Sequence, residues 1–162
     1  MTGKVNRFED LTCWQSARKL VKIVYNACLE GKLRRVFYLQ SQLKWAVLSS
    51  QNNIVEGFCR FYRKEFIRFL DISQSSAGEI LSMCYNLEDL EMIDQDKIDS
   101  IRIIATETRN KTLGLIRYQH RHASNKPNHL EHMNPVSSFV ARGRHLNPVE
   151  ICSCLAFHGA NT

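Results

Sequence analysis

The chain has 162 residues, of which 44% are hydrophobic and 23% are charged, and it carries a formal net charge of +6. These fractions are typical of a globular domain and exclude a collagen-like, low-complexity or wholly disordered chain. No stretch approaches the roughly 18 consecutive apolar residues of a membrane span, and the first residues lack the apolar segment of a signal peptide. We therefore expect a cytoplasmic protein with one core, whose six cysteines are free thiols.

Prolines and histidines are confined to one part of the chain. All three prolines and all six histidines lie in residues 120–162, and residues 1–119 contain only five glycines. A long stretch without proline favours a few long helices. The change in composition predicts three segments: an N-terminal arm over residues 1–9, a helical domain over 10–118 and a flexible tail over 119–162.

The first predicted helix covers residues 10–29, where apolar residues recur at steps of three and four. Thr12 and Gln15 predict a capping box at its start, and Gly31 predicts a C-terminal cap. The recurrence places one apolar stripe on this helix, which we expect to point into a core.

The second predicted helix covers residues 33–55, with Gly57 as its stop. Besides its inward stripe it carries apolar residues on another side, at Phe37, Trp45 and Leu48. A helix that is apolar on two sides is usually buried on both of them. We therefore predict that these three residues form an oligomer contact.

The third predicted helix runs from Arg63 to about Leu90, and an acidic turn follows it. Asp94 or Asp96 is expected to cap the fourth helix, which ends near Tyr118. Connections this short make successive helices antiparallel neighbours, so the sequence predicts an all-α, up-down-up-down four-helix bundle. The residues expected to point inward are Trp14, Val21, Leu43, Val47, Phe66, Leu70, Ile80, Ile101 and Ala105.

The predicted bundle offers little for catalysis. It lacks histidine, a glycine-rich phosphate loop and a nucleophile elbow, so we expect neither an enzyme nor a bound cofactor. Carboxylates on its helices, such as those of Glu56 and Glu65, are expected to pair with neighbouring Lys or Arg rather than to hold a metal. In the tail, four residues are competent zinc donors, but their spacing is unusual, which favours a flexible tail with incidental donors over the alternative of a zinc site. They are His145, Cys152, Cys154 and His158.

Charge is unevenly distributed along the chain. Residues 1–70 hold 13 Lys and Arg against 5 Asp and Glu, whereas residues 71–99 hold 1 Lys against 8 Asp and Glu. The segment from Phe58 to Lys64 interleaves aromatic and cationic residues, a composition typical of surfaces that contact phosphates and stack bases. An alternative interpretation makes Phe58 and Phe61 caps of the bundle's end and the cations an ordinary solvated face. We expect the acidic turn to lie away from an RNA-binding surface made of Arg34, Arg35, Arg60, Arg63, Lys64 and Arg68.

Three ordered blocks of residues resemble a known family over residues 8–117. The first block is Phe8 to Leu11 with Trp14, Gln15 and Ala17. The second is Ser41 to Lys44 with Ala46, Ser49 and Asn53 to Phe58. The third is Lys64 to Ile67 with Phe69, Leu70, Ile72, Ser76 and Glu79. On these blocks the chain resembles the bacterial 23S rRNA intervening-sequence proteins, also called four-helix bundle proteins.

The resemblance implies a left-handed antiparallel bundle that assembles as a ring, typically a homopentamer, and it implies no enzyme activity. The reading frames of such proteins lie within insertions of large-subunit rRNA genes. A related group, the accessory proteins of diversity-generating retroelements, shares the bundle and the ring and binds both nucleic acid and a reverse transcriptase. The chain departs from the family pattern at Trp45, Gln51, Cys59 and Phe61, and the resemblance does not extend into the predicted tail.

These observations lead to one main hypothesis and two alternatives. The main hypothesis is a non-enzymatic, oligomeric RNA-binding protein that contacts the rRNA insertion, or rRNA near it, through a basic face. The first alternative is a protein-interaction scaffold that docks a partner such as a reverse transcriptase. The second is a nuclease that excises the insertion, and it is the weakest because the sequence offers no catalytic constellation.

Overall fold

Four helices make up most of the chain that the structure describes. The computed structural model describes residues 5–60 and 62–122. The helices within these ranges are α1 (Thr12–Ala27), α2 (Phe37–Phe58), α3 (Arg63–Asp89) and α4 (Gln95–Arg121). Short 3-10 turns at Phe8–Asp10 and Leu33–Arg35 precede α1 and α2. The described part of the chain contains no strand, and the predicted all-α, four-helix fold is confirmed.

Each helix packs against two others, so the four enclose a common core. α1 and α3 each contact both α2 and α4. Contacts between neighbouring helices pair the start of one with the end of the next: the guanidinium of Arg63, at the start of α3, donates to the carbonyl of His122 after α4. Near the middle, the hydroxyl of Ser73 on α3 donates to the carbonyl of Ser50 on α2 at 2.7 Å. These pairings fit an up-down-up-down bundle. None of the described helices is both long and apolar enough to cross a membrane.

The core consists of two apolar clusters and a set of buried hydroxyls. The larger cluster includes Leu20, Leu87 and Ile101, and the smaller one includes Ile54 and Leu70 at the end where α1 begins. Every helix also buries hydroxyl groups on its inner side. These belong to Ser16, Ser50, Ser73, Ser76, Thr108 and Thr112.

Most of the predicted inward positions are buried. Seven of the nine predicted residues lie in the core, and only Trp14 and Val21 are half-buried at its edge. The reason is the rotation of α1, which points Cys13, Leu20 and Ala27 inward beside Ala17, Val24 and Cys28. The apolar pattern alone does not decide whether Trp14 or Cys13 points into the core. Both are apolar neighbours in sequence, and either one fits the helical period of the stripe.

Two predicted helix ends are wrong. Leu11, not Thr12, is the N-cap of α1, and the amide of Gln15 donates to the carbonyl of Glu9 at 2.8 Å, so no capping box forms. Gly57 does not stop α2, which continues through Phe58. Its role is packing: a Cβ at Gly57 would lie 2.8 Å from the Cβ of Phe69, so only glycine lets α3 approach this closely.

Gly31 and Asp94 lie at helix ends, as predicted, but the capping interactions differ from those expected. Gly31 has φ +53°, a left-handed conformation that suits glycine, although it lies beyond the end of α1 at Ala27. A Cβ on Gly31 would meet the carbonyl oxygen of Met92 at 2.4 Å, so this turn also packs closely against the one between α3 and α4. Asp94 is the N-cap residue of α4, yet its side chain makes no capping hydrogen bond.

The helical domain is longer at both ends than predicted. α4 continues to Arg121 and buries Gln119, past the predicted boundary at residue 118. Within the predicted N-terminal arm, Phe8 lies edge-to-face against Trp14 with the ring centroids 5.1 Å apart. Residues 123–162, which include the four zinc-competent side chains His145, Cys152, Cys154 and His158, lie outside the described residues.

Candidate nucleic-acid interface

The six cations predicted to bind RNA lie at opposite ends of the bundle. Arg60, Arg63, Lys64 and Arg68 lie where α2 ends and α3 begins, which we call the basic end. Arg34 and Arg35 precede α2, whose 22 residues span about 33 Å at 1.5 Å per residue. The predicted single surface is therefore wrong, because the length of α2 separates its two halves.

Arg34 and Arg35 share their end with the acidic turn, contrary to expectation. The backbone N–H of Leu33 donates to the carbonyl of Met92 at 3.1 Å, and Lys32 pairs with Glu91 at 3.3 Å. We call this the acidic end, since six of the chain's 16 Asp and Glu lie there between residues 88 and 99, where α3 finishes and α4 starts. The sequence could not show this juxtaposition, because it depends on which connections fall at the same end of the bundle.

Two arginines of the basic end hold intramolecular partners. Arg60 pairs with Glu56 one turn earlier, and its guanidinium lies 4.9 Å from the ring centre of Phe69. Arg68 pairs with Glu65 at 3.4 Å and lies 5.4 Å from the same ring. The carboxylates therefore act as helix-surface ion-pair partners, as predicted, and they partly neutralise both arginines. Both guanidinium groups remain exposed to solvent.

Arg63 has a structural contact. Its Nη1 donates to the carbonyl oxygen of His122 at 3.0 Å, which satisfies one of the carbonyls left without a partner at the end of α4. The His122 ring in turn lies against Tyr118, with the ring centroids 4.1 Å apart. Arg63 is therefore less available to RNA than its neighbours.

Three further cations complete the basic end. Lys64 is exposed and has no hydrogen bond or ion pair within the described ranges. The same holds for Arg117 and Arg121, which the antiparallel course of α4 brings to the start of α3. Neither of these last two residues was among the predicted contacts: Arg121 lies beyond the predicted helix end near Tyr118, and Arg117 lies outside the charge-rich first 70 residues. The charge of the last turn of α4, together with the predicted antiparallel packing, was the signal that could have identified them.

The aromatic residues between α2 and α3 belong mainly to the core. Phe58, Phe66 and Phe69 are buried, and the first two pack edge-to-face with centroids 6.3 Å apart. For Phe58 the alternative interpretation is confirmed: this ring caps the bundle's end. Tyr62 is exposed and lines a shallow depression of about 240 Å³ together with Arg63, Lys64 and Glu65. Phe61 lies outside the described residues.

Helix dipoles contribute little to the potential at the basic end. The N-termini of α1 and α3 place partial positive charges there, which favour an anion. However, α2 and α4 both end at the same place and contribute partial negative charges. Attraction for phosphate at this end therefore depends on the cationic side chains.

The residues predicted to form an oligomer contact differ in exposure. Phe37 and Trp45 are 76% and 75% exposed, whereas Leu48 is half-buried. Tyr38, which was not among the predicted contact residues, is also 76% exposed. Assembly stays a prediction, since a single chain does not test it. The exposed rings on the outer side of α2 are available for contact with a partner, and aromatic residues are enriched at such contacts.

Comparison with known proteins places the chain in a family. No curated protein matches its sequence. The four-helix fold agrees with the family that the three sequence blocks resemble. A family model described as "23S rRNA-intervening sequence protein" matches residues 9–114, which are most of the described bundle, and so the chain belongs to the 23S rRNA-intervening sequence protein family.

Proposed function

We propose that the protein is a non-enzymatic RNA-binding protein that contacts the intervening sequence of 23S rRNA, or rRNA beside it, through the basic end. Membership of the family links the chain to that insertion. The observation that carries the proposal is the convergence of exposed cations from α3 and α4 on one end of the bundle. Lys64, Arg117 and Arg121 hold no ion-pair partner within residues 5–60 and 62–122.

Unpaired cations suit phosphate binding for a simple reason. A lysine or arginine that already pairs with a carboxylate must give up that partner to reach a phosphate, whereas an unpaired one only releases water and counterions. The proposed contacts are therefore Lys64, Arg117 and Arg121, supported by the exposed Arg60 and Arg68. Such contacts fix position on the RNA backbone and carry no sequence information of their own.

A triple substitution tests the proposal. Lys64→Gln, Arg117→Gln and Arg121→Gln together are expected to weaken binding to a transcript of a 23S rRNA insertion about tenfold or more. The slope of log affinity against log salt is expected to fall by about 0.7 for each phosphate of single-stranded RNA that the variant no longer neutralises. Fluorescence anisotropy at several salt concentrations measures both quantities.

A matched control separates a local contact from general charge. Lys19→Gln, Lys22→Gln and Arg109→Gln remove the same charge from exposed positions along the sides of α1 and α4. This control is expected to change affinity far less than the triple substitution at the basic end. Equal decreases in affinity for the two variants would contradict a defined site at that end.

A second candidate function is the protein-interaction scaffold, with assembly of the chain into a homo-oligomer as its simplest form. The exposed rings of Phe37, Tyr38 and Trp45 favour it, because aromatic residues are enriched at protein interfaces. Light scattering distinguishes a monomer from a ring of about five chains. RNA binding that is unchanged in the basic-end variant would favour this second candidate.

A further inference from the structure

The outer side of α2 combines exposed rings with exposed cations. Phe37, Tyr38 and Trp45 are 75 to 76% exposed, and Arg34 and Arg35 directly precede them, exposed and without an ion-pair partner among the described residues. We call these five residues the α2 aromatic face. Tyr38 and Trp45 are seven residues apart, which is about two turns, so they lie on the same side of the helix about 10 Å apart along its axis.

The rings on this face are separate rather than part of a continuous apolar patch. Ser41 lies between Tyr38 and Trp45 on the same side. Its hydroxyl donates a hydrogen bond to the carbonyl of Phe37 at 2.9 Å. Asn52 continues this side of the helix and is exposed, while Leu48 is half-buried. The buried centre of a stable protein interface is closely packed and mainly apolar. The three rings are each about three-quarters exposed and make no ring–ring contact with one another among the described residues, so a flat partner can reach them.

The charge of this part of the chain is one-sided. Residues 31–55 contain Lys32, Arg34, Arg35 and Lys44 and no Asp or Glu. Of these, Lys32 pairs with Glu91, and Lys44 donates to Gln40 and lies 5.6 Å from the ring centre of Tyr25. A second copy that docked through its own α2 aromatic face would bring two positive surfaces together, which costs free energy. In a ring each face would meet a different surface, so the light-scattering measurement below decides that case. The cations of the face itself are complementary to a polyanion.

Rings that lie open beside unpaired cations are the combination that binds unpaired nucleotides, because every base has a flat face for stacking and every nucleotide carries a phosphate. A duplex hides those base faces within its stack. We propose that the α2 aromatic face binds single-stranded segments of the same rRNA. This inference rests on the proposed function. The bases stack on Phe37, Tyr38 and Trp45, and the phosphates contact Arg34 and Arg35.

Trp45 provides a direct signal for stacking. The chain has two tryptophans, and Trp14 is half-buried against Phe8. In a Trp14→Phe background, the fluorescence of Trp45 is expected to be quenched by a 12-nucleotide oligoadenylate. A self-complementary RNA hairpin of the same length is expected to cause much less quenching. Absence of quenching by the single strand would overturn the proposal.

Binding measurements with a labelled oligoadenylate test the same proposal in the protein that keeps both tryptophans. Phe37→Leu, Tyr38→Leu and Trp45→Leu together keep apolar bulk but remove the rings, and are expected to weaken binding about tenfold or more. Tyr85→Leu is the matched control: that ring is 62% exposed on α3 and already lies against Arg102, 5.2 Å from its centre. The control is expected to leave affinity unchanged.

Light scattering on the triple leucine variant and the basic-end variant distinguishes RNA binding by the α2 aromatic face from assembly through it. If the triple leucine variant changes the number of chains in the assembly while binding the oligonucleotide like the parent, the face joins copies of the chain and the proposal is wrong. If only the basic-end variant loses RNA affinity, the proposed function stands and this inference fails. If neither variant loses affinity, both fail together.

Discussion

The guanidinium of Arg63, at the start of α3, donates a 3.0 Å hydrogen bond to the carbonyl of His122, just after α4. The contact joins residues 59 positions apart in the sequence and ties the last turn of α4 to the bundle. A residue whose sequence context is typical of a phosphate ligand is therefore expected to contribute to stability.

Replacing Arg63 is expected to destabilise the fold, unlike replacing its neighbour. Arg63→Gln removes the bond to the α4 carbonyl and should lower the free energy of unfolding by about 0.5 to 1.5 kcal/mol. Lys64→Gln is the control, because Lys64 is exposed and has no partner in the described ranges, and it should change stability by less than about 0.5 kcal/mol. Urea denaturation followed by circular dichroism measures both. Equal stabilities of the two variants would show that the contact does not matter in solution.

Replacing Gly57 and Gly114 with alanine is expected to change the stability of the fold in opposite directions. A Cβ at Gly57 would lie 2.8 Å from Phe69 Cβ and 2.9 Å from Phe66 Cδ2, so Gly57→Ala forces α2 and α3 apart and should cost about 1 to 3 kcal/mol. A Cβ at Gly114 would meet nothing within 4 Å, so Gly114→Ala should stabilise α4 by up to about 1 kcal/mol. The midpoint temperatures of thermal unfolding of the two variants and the parent measure these changes. Stabilisation of both variants would mean that α2 and α3 are not in close contact at Gly57.

Two buried thiols are expected to be unreactive. Burial raises the pKa of Cys13 and of Cys84 to about 11. At pH 8 only about one thiol in a thousand is then ionised, and the thiolate is the reactive form. Iodoacetamide at that pH should label the half-buried Cys59 well before either of them, as mass spectrometry of peptides would reveal. Similar labelling rates at Cys13 and Cys59 would contradict the burial.

The same two thiols give stability a pH dependence. Their pKa is higher in the folded chain than the ordinary value of 9.0, so the unfolded chain loses these protons first as the pH rises. Stability should therefore decline between about pH 9 and pH 11. Replacing both cysteines with alanine should flatten this alkaline decline, which urea midpoints at several pH values would record. An unchanged decline in the double variant would assign it to other groups.

The fold followed from the sequence because its signals are local. Helical periodicity, the absence of proline through residue 119 and short connections between apolar stripes depend only on neighbouring residues. The candidate site depends on which helix ends meet. Arg34 and Arg60 belong to one charge-rich half of the sequence but lie at opposite ends of α2, whereas Arg63 and Arg121 are far apart in sequence and lie at the same end. Close approaches, such as the contact of Gly57 with α3, likewise depend on packing.

The hydrogen bond between Ser73 and Ser50 offers a test of the buried hydroxyls. The Ser73 hydroxyl is buried and donates to the carbonyl of Ser50 across the α2–α3 contact at 2.7 Å. Ser73→Ala keeps the volume of the side chain nearly unchanged and removes this bond. Ser100→Ala is the matched control, because that hydroxyl is exposed and bonds the carbonyl of Asp96 within α4 at 2.8 Å.

Both changes replace serine with alanine inside a helix, so both gain the same small advantage in helix propensity. The difference between the two variants in the free energy of unfolding therefore isolates the contact between helices. We expect Ser73→Ala to be less stable than Ser100→Ala by about 0.5 to 1.5 kcal/mol in urea denaturation. If the two variants were equally stable, the hydroxyl of Ser73 would contribute nothing to the α2–α3 contact, and the two helices would be held together by their apolar residues alone.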